Sequence, residues 1–411
     1  MASAERKTSG LGSIFLVVFL DILGFSLVLP FLAEEARDTF GTTAFVGTLL
    51  ASVYSLMQFL FVPVWGRLSD RIGRRPVLVW SIFVTALAMA GLGLGLVFAR
   101  SVIWLFVPRI VGGIATANLG TASAYIADVT KPEDRARGMG VIGIAFGLGF
   151  IVGPAVGGAL SSVPIHGRLG AVPCFIAASL SLLNLAWAVF GLKESLPPEK
   201  RSTSTRRLTP LDIGALKATL AQEGVGRAVL VSFILILSFT VLDQTFRFFT
   251  KDKFGMDALD TGLVLMFIGV VAATVQGAMR QLTKRYDESM LIKIGVLLQA
   301  VAFALLAFSP QVGRSGLYSA SALIAIGNGL TQPSIPAFIS KRASASDQGG
   351  TLGTNQSMSS LARMFGPAMG GWLYGALGPS SPYLVGAGGM TIAFVIALSL
   401  VPQRKTSTQM S

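Results

Sequence analysis

Five ionisable side chains stand inside long apolar stretches of the sequence: Asp21, Arg109, Asp243, Arg247 and Arg363. A charge at the centre of a bilayer costs about 2.5–3.5 kcal/mol on insertion scales, so each of these groups needs a reason to be there. Asp21 is the best candidate for a group that binds and releases a proton, with Arg109 as the cation that influences its protonation. The alternative is a permanent Asp21–Arg109 ion pair that holds two helices together.

The other three charges have their own interpretations. Asp243 and Arg247 lie one helical turn apart, so we expect them to pair locally, while Asp243 is also a candidate for ligand contact. Arg363 lies near Asn355 and three residues before Gly366. It would either contact an anionic ligand or donate to backbone carbonyls at the kink made by the following proline.

The elements that must position these groups are membrane helices. The chain has 411 residues, of which 52% are hydrophobic and 13% charged, whereas soluble domains carry roughly 25% charged residues. Apolar runs of about 20 residues, the length that crosses a bilayer, explain the difference. We predict twelve spans, which cover residues 13–33, 45–66, 77–98, 103–127, 138–161, 169–192, 226–249, 259–280, 290–308, 314–338, 350–375 and 380–402.

These spans form an N-terminal six-helix bundle at 1–192 and a C-terminal six-helix bundle at 226–411. A polar linker at 193–225, rich in Lys, Arg, Ser, Thr and Pro, joins them and is expected to contain a short surface helix at 211–221. The bundles repeat each other, because Gly153-Pro-Ala-Val-Gly-Gly recurs as Gly366-Pro-Ala-Met-Gly-Gly at an offset of 213 residues. Parallel repeats of this kind are typical of transporters with a substrate site between the halves.

The net charge of +13 reports membrane topology. Most Lys and Arg residues fall in the termini and the even-numbered loops, which predicts that both termini are cytoplasmic. This distribution excludes nucleic acid as a partner. The single cysteine, Cys174, cannot form an intrachain disulfide, and the single histidine, His166, has no Cys or His near it, so no metal site is expected. No nucleophile–base pair or phosphate-binding loop is visible, which argues against an enzyme.

Four motifs resemble those of the major facilitator superfamily, in its branch of twelve-helix drug/proton antiporters. The loop Gly66-Arg-Leu-Ser-Asp-Arg-Ile-Gly-Arg-Arg-Pro76 is similar to the loop between spans two and three of that family. The other three are the first-span motif at 20–30, the fourth-span motif around Arg109, and the fifth-span antiporter motif at 149–158. The likeness extends over the whole chain and is closest to tetracycline-efflux-like members, especially at 54–58 and 126–128.

The resemblance implies a cytoplasmic gate. Asp70 would lie against the start of span eleven near Gly349, where a helix N-terminus carries partial positive charge. Arg74 would pair with Asp128 at the inner end of span four. The alternative is a solvated basic loop that only fixes topology. The expected gate residues are Gly66, Asp70, Gly73, Arg74, Arg75 and Asp128.

The fifth-span motif consists of small residues that let helices approach closely. Its glycines and proline could bend the span and seal the interface between the halves against proton leak, or serve ordinary packing without a gating role. The motif residues are Gly149, Gly153, Pro154, Gly157 and Gly158.

The expected substrate pocket is apolar with few polar anchors, as suits lipophilic compounds. Its candidate residues are Phe25, Tyr54, Gln58, Phe146, Phe239, Asp243, Phe246, Asn355 and Arg363. Tetracycline exporters carry further membrane acids in spans three and nine, but this chain has none in span three and Gln299 in span nine. That departure counts against tetracycline itself as the substrate.

The sequence therefore predicts an all-α membrane protein with the major facilitator fold. The expected function is proton-coupled antiport that exports small amphiphilic or lipophilic compounds by alternating access, as in multidrug or tetracycline-like efflux and antibiotic resistance. A lipid or metabolite carrier on the same scaffold is the alternative, and a receptor that binds without translocating is a third hypothesis. The expected partners are a small-molecule substrate, protons and membrane lipids. We further expect a monomer without cofactors in the inner cell membrane.

Overall fold

The computed structural model describes residues 2–130, 135–201, 217, 220–222, 224–342 and 348–401. Within these ranges the chain is almost entirely α-helical, with one short 3₁₀ helix at Pro198–Lys200. The helices are α1 (Ala2–Phe40), α2 (Ala44–Ile72), α3 (Arg74–Phe98), α4 (Ile103–Ala115), α5 (Leu119–Val129), α6 (Arg135–Ser161), α7 (Ala171–Gly191), α8 (Val225–Phe254), α9 (Ala258–Arg285), α10 (Glu288–Val312), α11 (Arg314–Arg342), α12 (Gln348–Leu377) and α13 (Ser381–Leu398).

Several helix ends follow local sequence signals. The Thr43 hydroxyl accepts a hydrogen bond from the backbone N–H of Val46 at the start of α2, and the Asp287 carboxylate caps α10 in the same way. Such caps satisfy N–H groups that have no partner within the helix. Between α2 and α3 the chain turns at Gly73, whose φ of 107° is a conformation that favours glycine.

Over the described residues, ten helical segments are long and apolar enough to cross a membrane, with α4 and α5 together forming the segment Ile103–Val129. The helices α11 and α12 are long enough but richer in polar residues, so neither meets the same hydropathy criterion. Large apolar side chains point outward, among them Phe190 (89% exposed) and Ile103 (66% exposed). A surface of this kind is expected where helices face lipid.

Contacts divide the chain into two compact units. Unit 1 comprises residues 1–211, 243–266 and 367–376, and unit 2 comprises 212–242, 267–366 and 377–411. In unit 1, α1 packs against α6 and α7, and α3 packs against α4 and α7. One buried cluster of this unit includes Leu27 and Leu92, and the other includes Ile14 and Tyr125. Because α1 contributes to both clusters, its position fixes that of Asp21.

Unit 2 repeats part of this packing. Its helix α10 packs against α11 and α13, as α3 packs against α4 and α7 in unit 1. In the sequence repeat these three helices of unit 2 are the counterparts of spans three, four and six. The internal repeat therefore appears in the packing as well as in the sequence.

Two expectations on helix boundaries need correction. The span predicted over 103–127 is found as one membrane segment, Ile103–Val129, but its helix is interrupted, because α4 ends at Ala115 and α5 begins at Leu119. The helix α1 also continues to Phe40, beyond the predicted end at residue 33. The predicted surface helix at 211–221 lies mostly outside the described residues. The domain boundaries predicted at 192 and 225 remain a prediction.

Candidate functional site

Asp21 is held by amide side chains from other parts of unit 1. Asn184 on α7 donates from Nδ2 to Asp21 Oδ1 over 3.0 Å, and Asn118 also interacts with this carboxyl. Asn118 in turn donates to the Ser81 hydroxyl on α3. Asp21 is partly buried, whereas Asn184 is completely buried. The carboxyl group therefore has uncharged hydrogen-bond donors, in a residue that is not fully buried.

The break between α4 and α5 supplies two of the polar groups at this site. Thr116 directly follows α4 and donates its hydroxyl to the carbonyl of Gly112 over 2.8 Å, and Asn118 directly precedes α5. The glycines in this span favour such a break because glycine weakens a helix interior by roughly 1 kcal/mol relative to alanine. Sequence reasoning missed Asn118 and Asn184, although an asparagine within an apolar run is a visible signal.

Arg109 does not pair with Asp21. Its Nε donates to the backbone carbonyl of Leu50 over 3.1 Å, and its guanidinium lies 4.1 Å from the centre of the Tyr54 ring. The remaining nitrogen, Nη2, is buried and has no hydrogen-bond partner among the described residues. The interpretation as a permanent Asp21–Arg109 ion pair is therefore wrong for this structure, since both residues are held by uncharged groups.

Tyr54 connects the residues expected to line the pocket in unit 1. Its ring stacks on Phe25 with 5.3 Å between ring centres. Its hydroxyl is 2.6 Å from the hydroxyl of Thr116, which also accepts from Gln58 Nε2 over 3.1 Å. Gly113 lies so close that a Cβ there would overlap the Tyr54 carbonyl. Arg109 and Gly113 of the fourth-span motif therefore allow α4 to pack closely against Tyr54 of α2.

The other two aromatic candidates of unit 1 differ in exposure. Phe146 is 37% exposed and stacks on Phe150 with ring centres 6.2 Å apart. Phe246 is only 1% exposed, so it packs inside unit 1 in this structure. Their roles in substrate binding remain predictions.

At the junction of α2 and α3, Arg74 forms the expected ion pair with Asp128 and a second one, with Asp70, that was not predicted. Arg74 Nη1 is 2.5 Å from Asp70 Oδ1, and Arg74 Nε is 3.3 Å from Asp128 Oδ2. The side chain of Arg74 is only 9% exposed, so the segment is not merely a solvated basic loop. Arg75 donates to the carbonyl of Val189 over 2.6 Å.

Glu194 is a part of this cluster that sequence reasoning missed. Its carboxylate accepts from the backbone N–H groups of Arg74 (2.9 Å) and Arg75 (3.2 Å) at the first turn of α3. A carboxylate in this position neutralises the positive end of the helix dipole. A Cβ at Gly73 would overlap this carboxylate, so the glycine is needed for space as well as for its φ angle. Gly66 has open space around it.

The glycines of the fifth-span motif bring α6 directly against neighbouring backbone in unit 1. A Cβ on Gly157 would overlap the carbonyl of Leu27 on α1, and one on Gly158 would overlap the carbonyl of Ala258 on α9. On Gly149 and Gly153, a Cβ would overlap side chains of α1 first, those of Ile22 and Ser26. The Ser26 hydroxyl donates to the carbonyl of Gly149 over 2.8 Å.

The second copy of the motif makes equivalent contacts. Within unit 2, a Cβ on Gly366 would overlap the Thr240 hydroxyl, as one on Gly153 would overlap Ser26. Within unit 1, a Cβ on Gly371 would overlap Thr48 at the start of α2. Gly262 on α9 likewise abuts the carbonyl of Pro154. The glycines of both copies therefore allow neighbouring helices to pack closely.

Arg247 does not pair with Asp243, so the expected local pair is wrong. Arg247 instead forms a bidentate ion pair with Glu34 on α1, with N–O distances of 2.8 and 3.0 Å. It also donates to the carbonyl of Met256 over 2.9 Å. Asp243 accepts from its neighbour Gln244 over 2.7 Å. Periodicity cannot reveal a partner that lies on another helix.

This ion pair belongs to a larger group at the end of α1, which we call the Glu34 cluster. Lys251 lies 2.7 Å from Glu34 Oε1 and also pairs with Asp38. Asp252 accepts from Tyr374 over 2.7 Å and lies 3.4 Å from Arg37 Nη1. The cluster comprises Glu34, Arg37, Asp38, Arg247, Lys251, Asp252 and Tyr374. The ion pairs of this cluster neutralise Glu34, Arg37 and Asp38, the charged residues that follow the apolar part of α1.

Three predicted pocket residues belong to unit 2. Arg363 is partly buried and contacts the Ser360 hydroxyl at 3.5 Å, with no ion pair among the described residues. Asn355, two turns earlier on α12, has a buried Oδ1 without a hydrogen-bond partner in the described part of the chain. Phe239 on α8 is partly exposed.

Comparisons with known proteins agree with this architecture. The sequence matches the Major Facilitator Superfamily over residues 14–349 and again over 294–410. It is 34% identical over 364 residues to the tetracycline resistance protein, class C, of Escherichia coli, which covers 87% of this chain and 88% of that protein. It is 28% identical over 452 residues to major facilitator superfamily domain-containing protein 10 of Bos taurus, covering 97% and 94% of the two chains.

A solved structure shows the same fold. The human organic anion transporter MFSD10 (TETRAN) superposes with a TM-score of 0.71 at 26% identity, over 95% of this chain and 99% of the other. The major facilitator fold predicted from the sequence is therefore confirmed. With its apolar helices, the chain is a multi-pass membrane transporter and not an enzyme, and it belongs to the Major Facilitator Superfamily.

Proposed function

We propose that the protein is a proton-coupled antiporter that exports small amphiphilic compounds by alternating access, with Asp21 as the proton site. The observation that carries this proposal is the environment of Asp21. It is a carboxyl group within a membrane helix, held by amide groups and not by a cation. Because no fixed positive charge neutralises it, binding of a proton changes the net charge of the site.

Tyr54 is the group through which substrate and proton would influence each other. Its ring lies against the Arg109 guanidinium and stacks on Phe25, one helical turn after Asp21 on α1. A substrate that binds against the Phe25 and Tyr54 rings would change the surroundings of the carboxyl group. Competition between substrate and proton at one site is the simplest coupling for antiport.

The test is transport in proteoliposomes with an imposed proton gradient, using ethidium and tetracycline as separate probes. The wild type should accumulate a probe against its gradient and move protons in the opposite direction. Asp21→Asn should abolish the proton movement while leaving probe exchange at equal pH within about twofold. Asp243→Asn is the matched control, because Asp243 is also a partly buried membrane acid held by an amide.

Three results would refute parts of this proposal. Unchanged coupling in Asp21→Asn would exclude Asp21 as the proton site. Loss of coupling in Asp243→Asn alone would transfer the role to that residue. Absence of transport of both probes by the wild type would exclude export of amphiphilic drugs.

Export of organic anions is the second candidate, and Arg363 favours it. This residue is partly buried and has no ion pair among the described residues, so its guanidinium can still receive a carboxylate. The related human protein is described as an organic anion transporter. Transport of carboxyfluorescein, reduced at least tenfold in Arg363→Gln and restored in part by Arg363→Lys, would support this substrate class. Equal transport by all three proteins would exclude Arg363 as the anion-binding group.

The ion pairs of Arg74 with Asp70 and Asp128 lie in the segment that would close the cytoplasmic side when Asp70 meets the start of α12. Both termini would be cytoplasmic. The basic even-numbered loops support this orientation in the inner cell membrane. The protein would act as a monomer, with protons, the substrate and membrane lipids as its partners.

A further inference from the structure

The side chain of Asn184 has one polar atom that its surroundings leave unused. Its Nδ2 donates to the backbone carbonyl of Val17 and to Asp21 Oδ1, at a distance of 3.0 Å in each case. Its Oδ1 is buried and has no hydrogen-bond partner among the described residues. The whole residue is 0% exposed. An unsatisfied buried acceptor is rare in proteins and calls for an explanation.

The two protonation states of a carboxyl group need opposite partners. A carboxylate only accepts hydrogen bonds, whereas a carboxylic acid also has an O–H that requires an acceptor. The Asn184 amide carries both functions next to Asp21. Its N–H already donates to the carboxylate, and its unused carbonyl oxygen can accept the O–H.

We propose that Asn184 is a positioning residue for protonation at Asp21, and this proposal rests on the proton coupling proposed above. The amide N–H holds the ionised carboxylate in the arrangement seen here. When a proton binds to an Asp21 oxygen, the amide reorients so that Asn184 Oδ1 accepts the new O–H. The step consists of proton uptake at Asp21 and rotation of the Asn184 amide, in which Nδ2 gives up its hydrogen bonds to Asp21 Oδ1 and the Val17 carbonyl and Oδ1 accepts one from the Asp21 O–H.

The neighbouring groups leave this role to Asn184. Asn118 also interacts with Asp21, but of the two asparagines only Asn184 has a buried side-chain oxygen without a hydrogen-bond partner among the described residues. The titratable side chain that interacts with Asp21 from a neighbouring helix is Tyr54 on α2. Arg109 on α4 is engaged with Tyr54 and Leu50, and the polar groups facing Asp21 from α3 and α7 are uncharged.

Infrared difference spectroscopy of the full chain during a pH change tests this proposal without any substrate. The carboxylic acid carbonyl band of Asp21 is identified by its loss in Asp21→Asn. In Asn184→Leu, which removes both hydrogen-bonding functions at similar volume, the band should move to higher wavenumber because the acid has lost its acceptor. Ser181→Ala, which removes another buried polar group of α7, is the matched control and should leave the band unchanged.

A second measurement uses the wild-type protein and so does not depend on the folding of a variant. The chain contains only four asparagines, so carbonyl-labelled asparagine reports on few groups. A labelled amide band should shift together with the Asp21 acid band. An Asp21 band that is identical in Asn184→Leu and wild type, without a labelled amide signal, would overturn the role of Asn184 and leave proton coupling intact. Absence of any Asp21 band over the pH range would overturn the proton site itself.

Discussion

Neutralising Glu34 should strongly destabilise unit 1. The side chains of Glu34 and Arg247 are only 3% and 7% exposed, and two hydrogen bonds join them. Glu34→Gln keeps the shape of the side chain but leaves the Arg247 guanidinium buried without its counter-ion. Removing one partner of a buried pair costs about 3–5 kcal/mol because the other charge stays uncompensated. We expect about 3 kcal/mol, since Arg247 keeps its hydrogen bonds to Met256 and Thr261.

Replacing both partners by uncharged side chains removes the uncompensated charge, so Glu34→Gln/Arg247→Met should recover most of the lost stability. The coupling energy from the double-mutant cycle should be about 2–3 kcal/mol, near the upper end for residues in direct contact. Asp252→Asn is the control, because the Asp252–Arg37 pair is 34% and 21% exposed. It should cost less than about 1 kcal/mol.

The assay is reversible unfolding in mixed micelles of dodecyl sulfate and a mild detergent, followed by tryptophan fluorescence. The free energy of unfolding is extrapolated to zero denaturing detergent for the wild type and the four variants. The reasoning is refuted if Glu34→Gln costs less than about 1 kcal/mol or if the two single substitutions add without coupling. A loss in Asp252→Asn as large as in Glu34→Gln would show that burial does not decide the outcome.

Three further predictions use the same unfolding assay or expression in the membrane. Gly157→Ala should cost about 1–3 kcal/mol because its Cβ would overlap the Leu27 carbonyl, whereas Gly147→Ala, with open space around it, should be neutral or stabilise by up to about 1 kcal/mol; equal effects would contradict the packing argument. Glu194→Gln should cost about 0.5–2 kcal/mol by weakening the cap of α3, while the exposed Glu199→Gln should not change stability. Leu94→Arg, at a position 50% exposed on the apolar surface, should reduce the amount of inserted protein, since arginine costs about 2.5–3.5 kcal/mol at mid-membrane; normal insertion would show that this face does not meet lipid.

Much of the fold could be predicted because apolar runs and repeated motifs are local signals. The apolar part of α1 was visible, but its continuation to Phe40 was not, because the charged residues after Pro30 have their partners on α8, far away in the sequence. Likewise, Arg74 and Asp128 could be paired by resemblance, but Glu194 could not be assigned from its own surroundings. Its role depends on where the end of α7 lies relative to the start of α3.

The charged residues of the site could be predicted from the sequence, but their interaction partners could not. Asp21 and Arg109 were recognisable because charge within an apolar run is rare. That Asp21 and Arg109 do not form an ion pair could not be predicted, because this depends on Tyr54 lying beside Arg109 and on two amides lying beside Asp21. Neighbours that are uncharged carry no sequence signal as strong as a charge, so the amides were missed.

The Glu34 cluster also has a consequence for how a chain of this kind can arise by gene duplication. Glu34 pairs with Arg247 and Asp38 pairs with Lys251, and each pair is separated by 213 residues, the offset between the two sequence repeats. Equivalent positions of the two copies thus meet each other, as they would in a symmetric dimer. Identical copies would bring glutamate against glutamate and aspartate against aspartate. Gly158 and Gly371 are also equivalent positions, but they contact other residues, so both can remain glycine. At the two charged positions the ancestral copies had to diverge before the Glu34–Arg247 and Asp38–Lys251 pairs could form.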